Sequence, residues 1–304
     1  LPAPVAIFVY NRPDHFRQVI GFLQKNHTAS ETELYIFSDG ARTGRDKEAV
    51  DAIRDFSGQI KGFRNVQVFP SEQNLGLKAS VRKGVSHVLS LHDSVIVVED
   101  DICTNRNFLD YHNDCLGKYK DLAHVWSVSG YVIPAMGKAV KEQTGETYFL
   151  IQRASSWGWS TWKDRWEKVN WDEHSLLKHL GEGDTYKRYF ATGGDKIRML
   201  FDCFEKKNNS WAIIWDFNHF LNGGYCLYPT RSFVRNIGLD RSGVHSKPRE
   251  EYAVELEDWP FDPSALPEKP VSPPLAQKIY RRLNRKIYRD ILDRWRFGNL
   301  KLKF

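Results

Sequence analysis

Residues 95–102 read VIVVEDDI. Four apolar residues run straight into Glu99, Asp100 and Asp101, and Ile102 follows. A short β-branched run of this kind reads as a strand buried on both faces, the habit of parallel sheets. Three carboxylates at the end of such a strand need compensation, because buried charge is costly unless it is paired or bound to a cation. On either side of this stretch the same pattern repeats. VAIFVY (5–10), ELYIFSD (33–39), NVQVFP (65–70), SVIVVED (94–100) and HVWSVSG (124–130) are predicted strands. Between them lie helical spacings, first Phe16, Val19, Ile20 and Leu23, then Val50, Ile53, Phe56 and Ile60, then residues 78–92. Strands separated by helices predict an α/β fold, a mainly parallel sheet with helices on both faces.

After about residue 145 the texture changes. Seven of the ten tryptophans fall between Trp157 and Trp215, and the alternation dissolves. The expected organisation is an α/β ligand-binding half (1–130) and an aromatic-rich half on the same sheet (131–259). A Pro-rich linker (260–274) and a basic amphipathic helix (275–304) follow. The apolar start LPAPVAIFVY is too short for a signal peptide and lacks a basic flank. No apolar run approaches the length of a membrane span.

The net charge of +6 is unevenly placed: residues 271–304 carry +8 and the rest −2. Nucleic-acid binding, which needs a basic groove through the body, is therefore not expected. Cys103, Cys115, Cys203 and Cys226 form no metal-like spacing, so buried free thiols and a reducing, cytoplasmic compartment are expected.

In open α/β sheets, ligands lie outside the carboxyl ends of the strands. Three strand ends carry polar residues there: Asn11 and Arg12, then Asp39 and Gly40, then the acidic triplet. Crowded carboxylates raise one another's pKa unless a cation intervenes, and Mg²⁺ or Mn²⁺ brings phosphate oxygens as further ligands. The plainer reading is a solvated acidic turn. Asp39 in SDGAR (38–42) is either part of a turn or an acceptor for a base or sugar. In NLGLK (74–78), Gly76 and Lys78 either start a helix or approach a phosphate. Trp159, Trp162 and Trp166 stand at helical spacing, and core packing suits the last two. Trp157 and Trp159, which flank Gly158, are expected to line a cleft where rings stack on sugars. Asp216, between Trp215 and Phe217, is either hydrogen-bonded structure or a base with a raised pKa.

Taken in order, VYNR (9–12), FSDG (37–40), VVEDD (97–101), WGW (157–159), IWD (214–216) and GVHS (243–246) resemble the GT-A glycosyltransferases. The likeness is nearest to the β-1,2-N-acetylglucosaminyltransferases acting on mannose, such as N-acetylglucosaminyltransferase I, and extends to bacterial surface-polysaccharide transferases. The resemblance implies a GT-A, Rossmann-like fold and inverting transfer from a UDP-sugar, with UDP-GlcNAc the first guess, to a glycan hydroxyl. It implies that Asn11, Arg12, Asp39, Gly76, Lys78, Glu99 and Asp100 bind the donor. Asp101 and His245 would hold Mn²⁺ or Mg²⁺, Asp216 would be the base, and Trp157, Trp159 and Trp215 would meet the acceptor. The basic helix at 275–304 either contacts an anionic membrane surface, which suits a lipid-linked acceptor, or packs on the body. A sugar-phosphate nucleotidyltransferase and a non-catalytic carbohydrate-binding protein are the alternative readings.

Overall fold

The computed structural model describes residues 1–240 and 250–283. Among the described residues there are ten strands: β1 (Val5–Val9), β2 (Glu33–Ser38), β3 (Asn65–Pro70), β4 (Ser94–Glu99), β5 (Ile102–Thr104), β6 (Val125–Ser129), β7 (Tyr148–Ile151), β8 (Trp159–Trp162), β9 (Tyr225–Pro229) and β10 (Val234–Asn236). Eight of them form one sheet in the order β3-β2-β1-β4-β8-β6-β9-β7, while β5 and β10 make a small antiparallel pair. The half β3-β2-β1-β4 is parallel throughout, β6 and β9 are also parallel, and β8 and β7 run against their neighbours. This is the expected α/β, Rossmann-like architecture. One continuous sheet joins the two expected halves of the chain.

Every residue of β1 is buried, and so are the four apolar residues of β4. Helices account for this by covering both faces. Helix α1 (Pro13–Leu23) turns Phe16, Val19, Ile20 and Leu23 onto one face, joined there by α2 (Lys47–Ser57) and α4 (Phe108–Tyr119). Helix α3 (Leu77–Leu91) packs Val81, Val85, Val88 and Leu89 onto the other face, with the Trp211–Leu221 helix beside it. A helix entering at Pro13 needs no amide there, because proline suits the first turn. The predicted first four strands and three helices are all found within a few residues.

Two expectations change. The segment Trp159–Trp162 is a strand, not a helix turn, so Trp159 and Trp162 face opposite sides of the sheet. Spacing of three residues fits either structure, and β-favouring Trp and Thr filling the gap between β4 and β6 decide it. The Pro-rich stretch, expected as an extended linker, carries a short 3-10 helix at Pro263–Ala265 and is bound along the body. Leu150 donates its N–H to the Val271 carbonyl at 2.7 Å, Lys118 reaches the Leu266 carbonyl at 2.7 Å, and Leu266 is buried. The following helix, Pro274–Leu283, buries Ala276 and Tyr280, so its start packs on the domain. The remainder of the basic segment, and His245, lie outside the described residues. No described helix is long and apolar enough to cross a membrane. The four cysteines are buried and unpaired, as expected.

Candidate functional site

The strand order reverses direction between β1 and β4. The chain moves outward from β1 to β2 and β3, then returns to place β4 on the other side of β1. Such a switch point opens a crevice at the carboxyl ends of its two strands. Arg12 leaves β1 there, and Glu99, Asp100 and Asp101 leave β4 beside it. The acidic turn is fixed from behind as well, because β5 follows at once and pairs with β10. Ile237 donates its N–H to the Asp101 carbonyl at 2.8 Å. Gly238 then passes so close that any side-chain carbon there would collide with the Asp101 carboxylate and the Arg12 guanidinium.

The charge of the triplet is compensated from within. Arg12 donates through Nη2 to Asp100 and through Nη1 to Asp101 Oδ2 at 3.0 Å, a fork in which Asp100 is 5% and Asp101 13% exposed. Burial alone would lower the Arg12 pKa, but Asp100 and Asp101 outweigh it and raise it. Burial pushes Glu99 up to about 8, with the Asp101 and Asp100 charges adding to the effect. Burial also pushes Asp100 up to about 6, against the pull of Arg12. Glu99 is half-buried and accepts from Trp211 Nε1 at 3.3 Å. A further oxygen of the turn, Asp101 Oδ1, is buried without a hydrogen-bond partner among the described residues.

That orphan oxygen is the observation on which a divalent cation is tested. No three His, Cys, Asp or Glu side chains converge on a common point among the described residues. A cage built by protein alone is thus absent there, yet Mg²⁺-like sites typically use one or two carboxylates and complete the shell with substrate phosphates and water. The donor set fits that kind of site, with Asp101 as the ligand.

The other donor-side residues are placed as follows. Asn11 donates to Asp46 Oδ1 at 2.9 Å. Asp39 is buried and fully engaged. Its Oδ1 accepts from Leu75 N at 2.8 Å and Gly40 N at 2.9 Å, and its Oδ2 from Gly76 N at 2.9 Å and Asn74 Nδ2 at 3.2 Å. It therefore clamps the loop that starts α3 rather than offering a free acceptor to a base. Gly40 is pressed against the Gln73 backbone, where an added Cβ would lie 2.5 Å from the carbonyl carbon. Gly76, at φ +76°, takes the left-handed turn before α3. Lys78 pairs with Glu173 and lines a groove of about 500 Å³ with Arg82, Lys83 and Trp171.

On the acceptor side, three expectations are corrected. Trp159 and Trp215 have no exposed surface. They pack with Trp166 and Trp211 at ring-centroid distances of 5.2–6.0 Å and cannot touch an acceptor from there. Trp157 alone is half-buried, against Tyr131 at 4.4 Å and Tyr252 at 6.2 Å. Asp216 is not an isolated carboxylate with a raised pKa. Its Oδ2 meets Lys196 Nζ and the Tyr189 hydroxyl at 2.8 and 2.7 Å, and its Oδ1 accepts from Ala154 N at 2.8 Å. Burial would raise this carboxyl, but Lys196 and Arg153 hold it below its ordinary value.

No protein-family model and no curated protein matches the chain. Solved structures do. TarS residues 1–349 from S. aureus, in complex with UDP, is 15% identical at a TM-score of 0.44, covering 77% of this chain and 60% of its own. The mannosyltransferase PcManGT from Pyrobaculum calidifontis, with GDP-Man and Mn²⁺, is 15% identical at 0.35, over 60% and 49%. The galactosyltransferase LgtC, with donor and acceptor sugar analogues, is 9% identical at 0.38, over 74% and 72%. The chain is similar to glycosyltransferases. It spans about three-fifths of the length of the TarS fragment. These TM-scores are below 0.5, and the functional reading rests on this chain's own geometry.

Nothing in the residue pattern signals the buried charges around Asp216. Lys196 has no exposed surface and also donates to the Gln152 carbonyl at 2.8 Å, while Arg153 pairs with Asp195 at 2.9 Å and lies 4.1 Å over the Tyr280 ring. In GDKIRML such a lysine reads as solvated, and only the apolar residues around it at helical spacing hint otherwise. Trp211 as a donor to Glu99 was equally invisible, since 112 residues separate them.

Proposed function

We propose that the chain is a glycosyltransferase that takes a sugar from a nucleoside-diphosphate donor and passes it to a glycan hydroxyl. One observation carries this reading. Arg12, Asp100 and Asp101 meet at the β1/β4 switch point with a buried Asp101 oxygen still unpartnered. A guanidinium and an unsatisfied carboxylate at the mouth of such a crevice suit a diphosphate and the cation that travels with it.

The finer reading is a UDP-sugar donor, with UDP-GlcNAc the first to try, transferred with inversion in bacterial surface-polysaccharide synthesis at the cytoplasmic side of a membrane. Support for the donor and for inversion comes from the order of the sequence motifs, and support for the location comes from the unpaired cysteines and the basic segment at 275–304. A bound Mn²⁺ or Mg²⁺ supplies Lewis-acid neutralisation of the leaving diphosphate. Asp101 would hold it, Arg12 would meet the phosphates, and Asp100 and Glu99 would face the ribose and the sugar. Asp39 acts through the 74–76 loop, which it holds in place. Trp157 is the ring available to stack on an acceptor sugar. Asp216 serves as the counterion of Lys196 in this conformation, and it takes a proton from an acceptor only in one that releases Lys196.

The test is a panel of nucleotide sugars with the purified chain in Mn²⁺ or in EDTA, following donor hydrolysis and transfer to simple glycosides. Cation-dependent turnover of one donor is expected. Silence across the panel, with no donor raising the melting temperature, would remove the proposal.

A further inference from the structure

We infer that Arg12, forked across Asp100 and Asp101, competes with the divalent cation for Asp101, so that the cation binds well only when a nucleotide diphosphate arrives to draw the guanidinium off. The inference rests on the nucleotide-sugar reading of the site. The fork engages one oxygen of each carboxylate, Asp100 Oδ1 and Asp101 Oδ2, in a largely buried setting. A buried oxygen with no hydrogen-bond partner among the described residues, Asp101 Oδ1, belongs to the same carboxylate that Arg12 already holds. A cation arriving alone at that oxygen meets a fixed positive charge beside it. Arginine cannot relieve that repulsion by losing its proton.

A diphosphate changes the balance in two ways. It brings negative oxygens for the cation, and it offers the planar guanidinium a two-point partner as good as the carboxylates it leaves. Gly238 closes the back of the fork against both Asp101 and Arg12, so the side chain is held snugly in the paired arrangement until something replaces its partners. Cation and nucleotide are then coupled ligands, and each tightens the other by the same factor.

The experiment measures Mn²⁺ binding to the full chain by electron paramagnetic resonance of the free ion, with and without UDP. It compares wild type, Arg12→Gln, Arg12→Lys and Asp101→Asn. In wild type, UDP is expected to tighten Mn²⁺ by about tenfold or more, within the usual range of site coupling. Arg12→Gln should bind Mn²⁺ alone about tenfold tighter than wild type, with the UDP effect largely gone. Asp101→Asn should lose the Arg12-sensitive binding. Unchanged or weaker Mn²⁺ binding by Arg12→Gln, with a native circular dichroism spectrum, overturns the inference. Should that variant fail to fold, Arg12→Lys decides. Its single-point ammonium cannot fork across both carboxylates, so tighter Mn²⁺ binding is expected and an unchanged affinity overturns. If wild type binds Mn²⁺ but UDP never binds, the nucleotide-sugar reading fails, while the comparison without UDP still decides the role of Arg12.

Discussion

Replacing Asp216 with Asn separates a structural carboxylate from a catalytic one. Asp216 and Lys196 form an ion pair of 2.8 Å whose side chains are 5% and 0% exposed. Removing the negative charge leaves a buried ammonium with the Gln152 carbonyl at 2.8 Å, the Tyr189 ring at 4.7 Å and the weaker pull of Asp195. Arg153, also near, repels it. Breaking one side of a buried pair costs about 3–5 kcal/mol, a large part of a typical domain stability of about 5–15 kcal/mol. Urea unfolding followed by tryptophan fluorescence reads this directly, because Trp215 adjoins the site in sequence and is fully buried. Lys196→Met alone should cost a similar amount. The double variant should recover at least about 2 kcal/mol relative to the sum, since no unpaired charge remains. Additive losses would refute the pairing argument. An Asp216→Asn protein within about 0.5 kcal/mol of wild type that has lost sugar transfer would do more: it would make Asp216 the base and Lys196 a movable partner.

Burial holds His219 and His112 down to about 3 from 6.5. A base whose folded pKa is depressed takes up protons in the unfolded state first, so stability falls as pH drops from about 6.5 towards 3. Glu99 and Asp100, raised by burial, act with the opposite sign over part of that range. The comparison between His219→Phe and wild type isolates the histidine: the variant should gain about 1.4 kcal/mol per pH unit below 6.5 in urea titrations, and a pH-independent difference would contradict it. Trp159→Ala should cost about 3–5 kcal/mol and leave donor affinity unchanged in the folded fraction, whereas Trp157→Ala should weaken acceptor binding with little loss of stability. Stable Trp159→Ala would mean the ring is not in the core. Limited proteolysis should spare residues 260–274, which are tied down at Leu266 and Val271, and rapid cutting there would restore a free linker.

Much of the parallel half was legible because β1, β2 and β4 carry apolar runs ending in polar turns, and each helix repeats its apolar residues at helical spacing. The switch-point crevice follows from the order of those elements. The second half was harder to read. Trp159 and Trp162 fit a helix or a strand by spacing, and only pairing with β4 and β6 settles which. Isolated aromatic character could not say which rings are exposed, and Trp157 differs from Trp159 only by the side of the chain it occupies. The triplet announced a need for positive charge, and Arg12 was among the residues expected beside it. That Arg12 itself supplies much of that charge required coordinates, as did the four donors around Asp39 and the lysine beneath Asp216. Each of those partners is distant in sequence or hidden in an ordinary helix.

Isothermal titration of UDP into the chain, with Mn²⁺, with EDTA, and with Asp101→Asn in Mn²⁺, tests the assignment of the β1/β4 crevice most directly. Binding is expected in Mn²⁺, and should be lost or severely weakened in EDTA and in the variant. UDP binding equally well under all three conditions would contradict a site built on Asp101, and no binding under any of them would contradict a uridine-diphosphate site at that crevice.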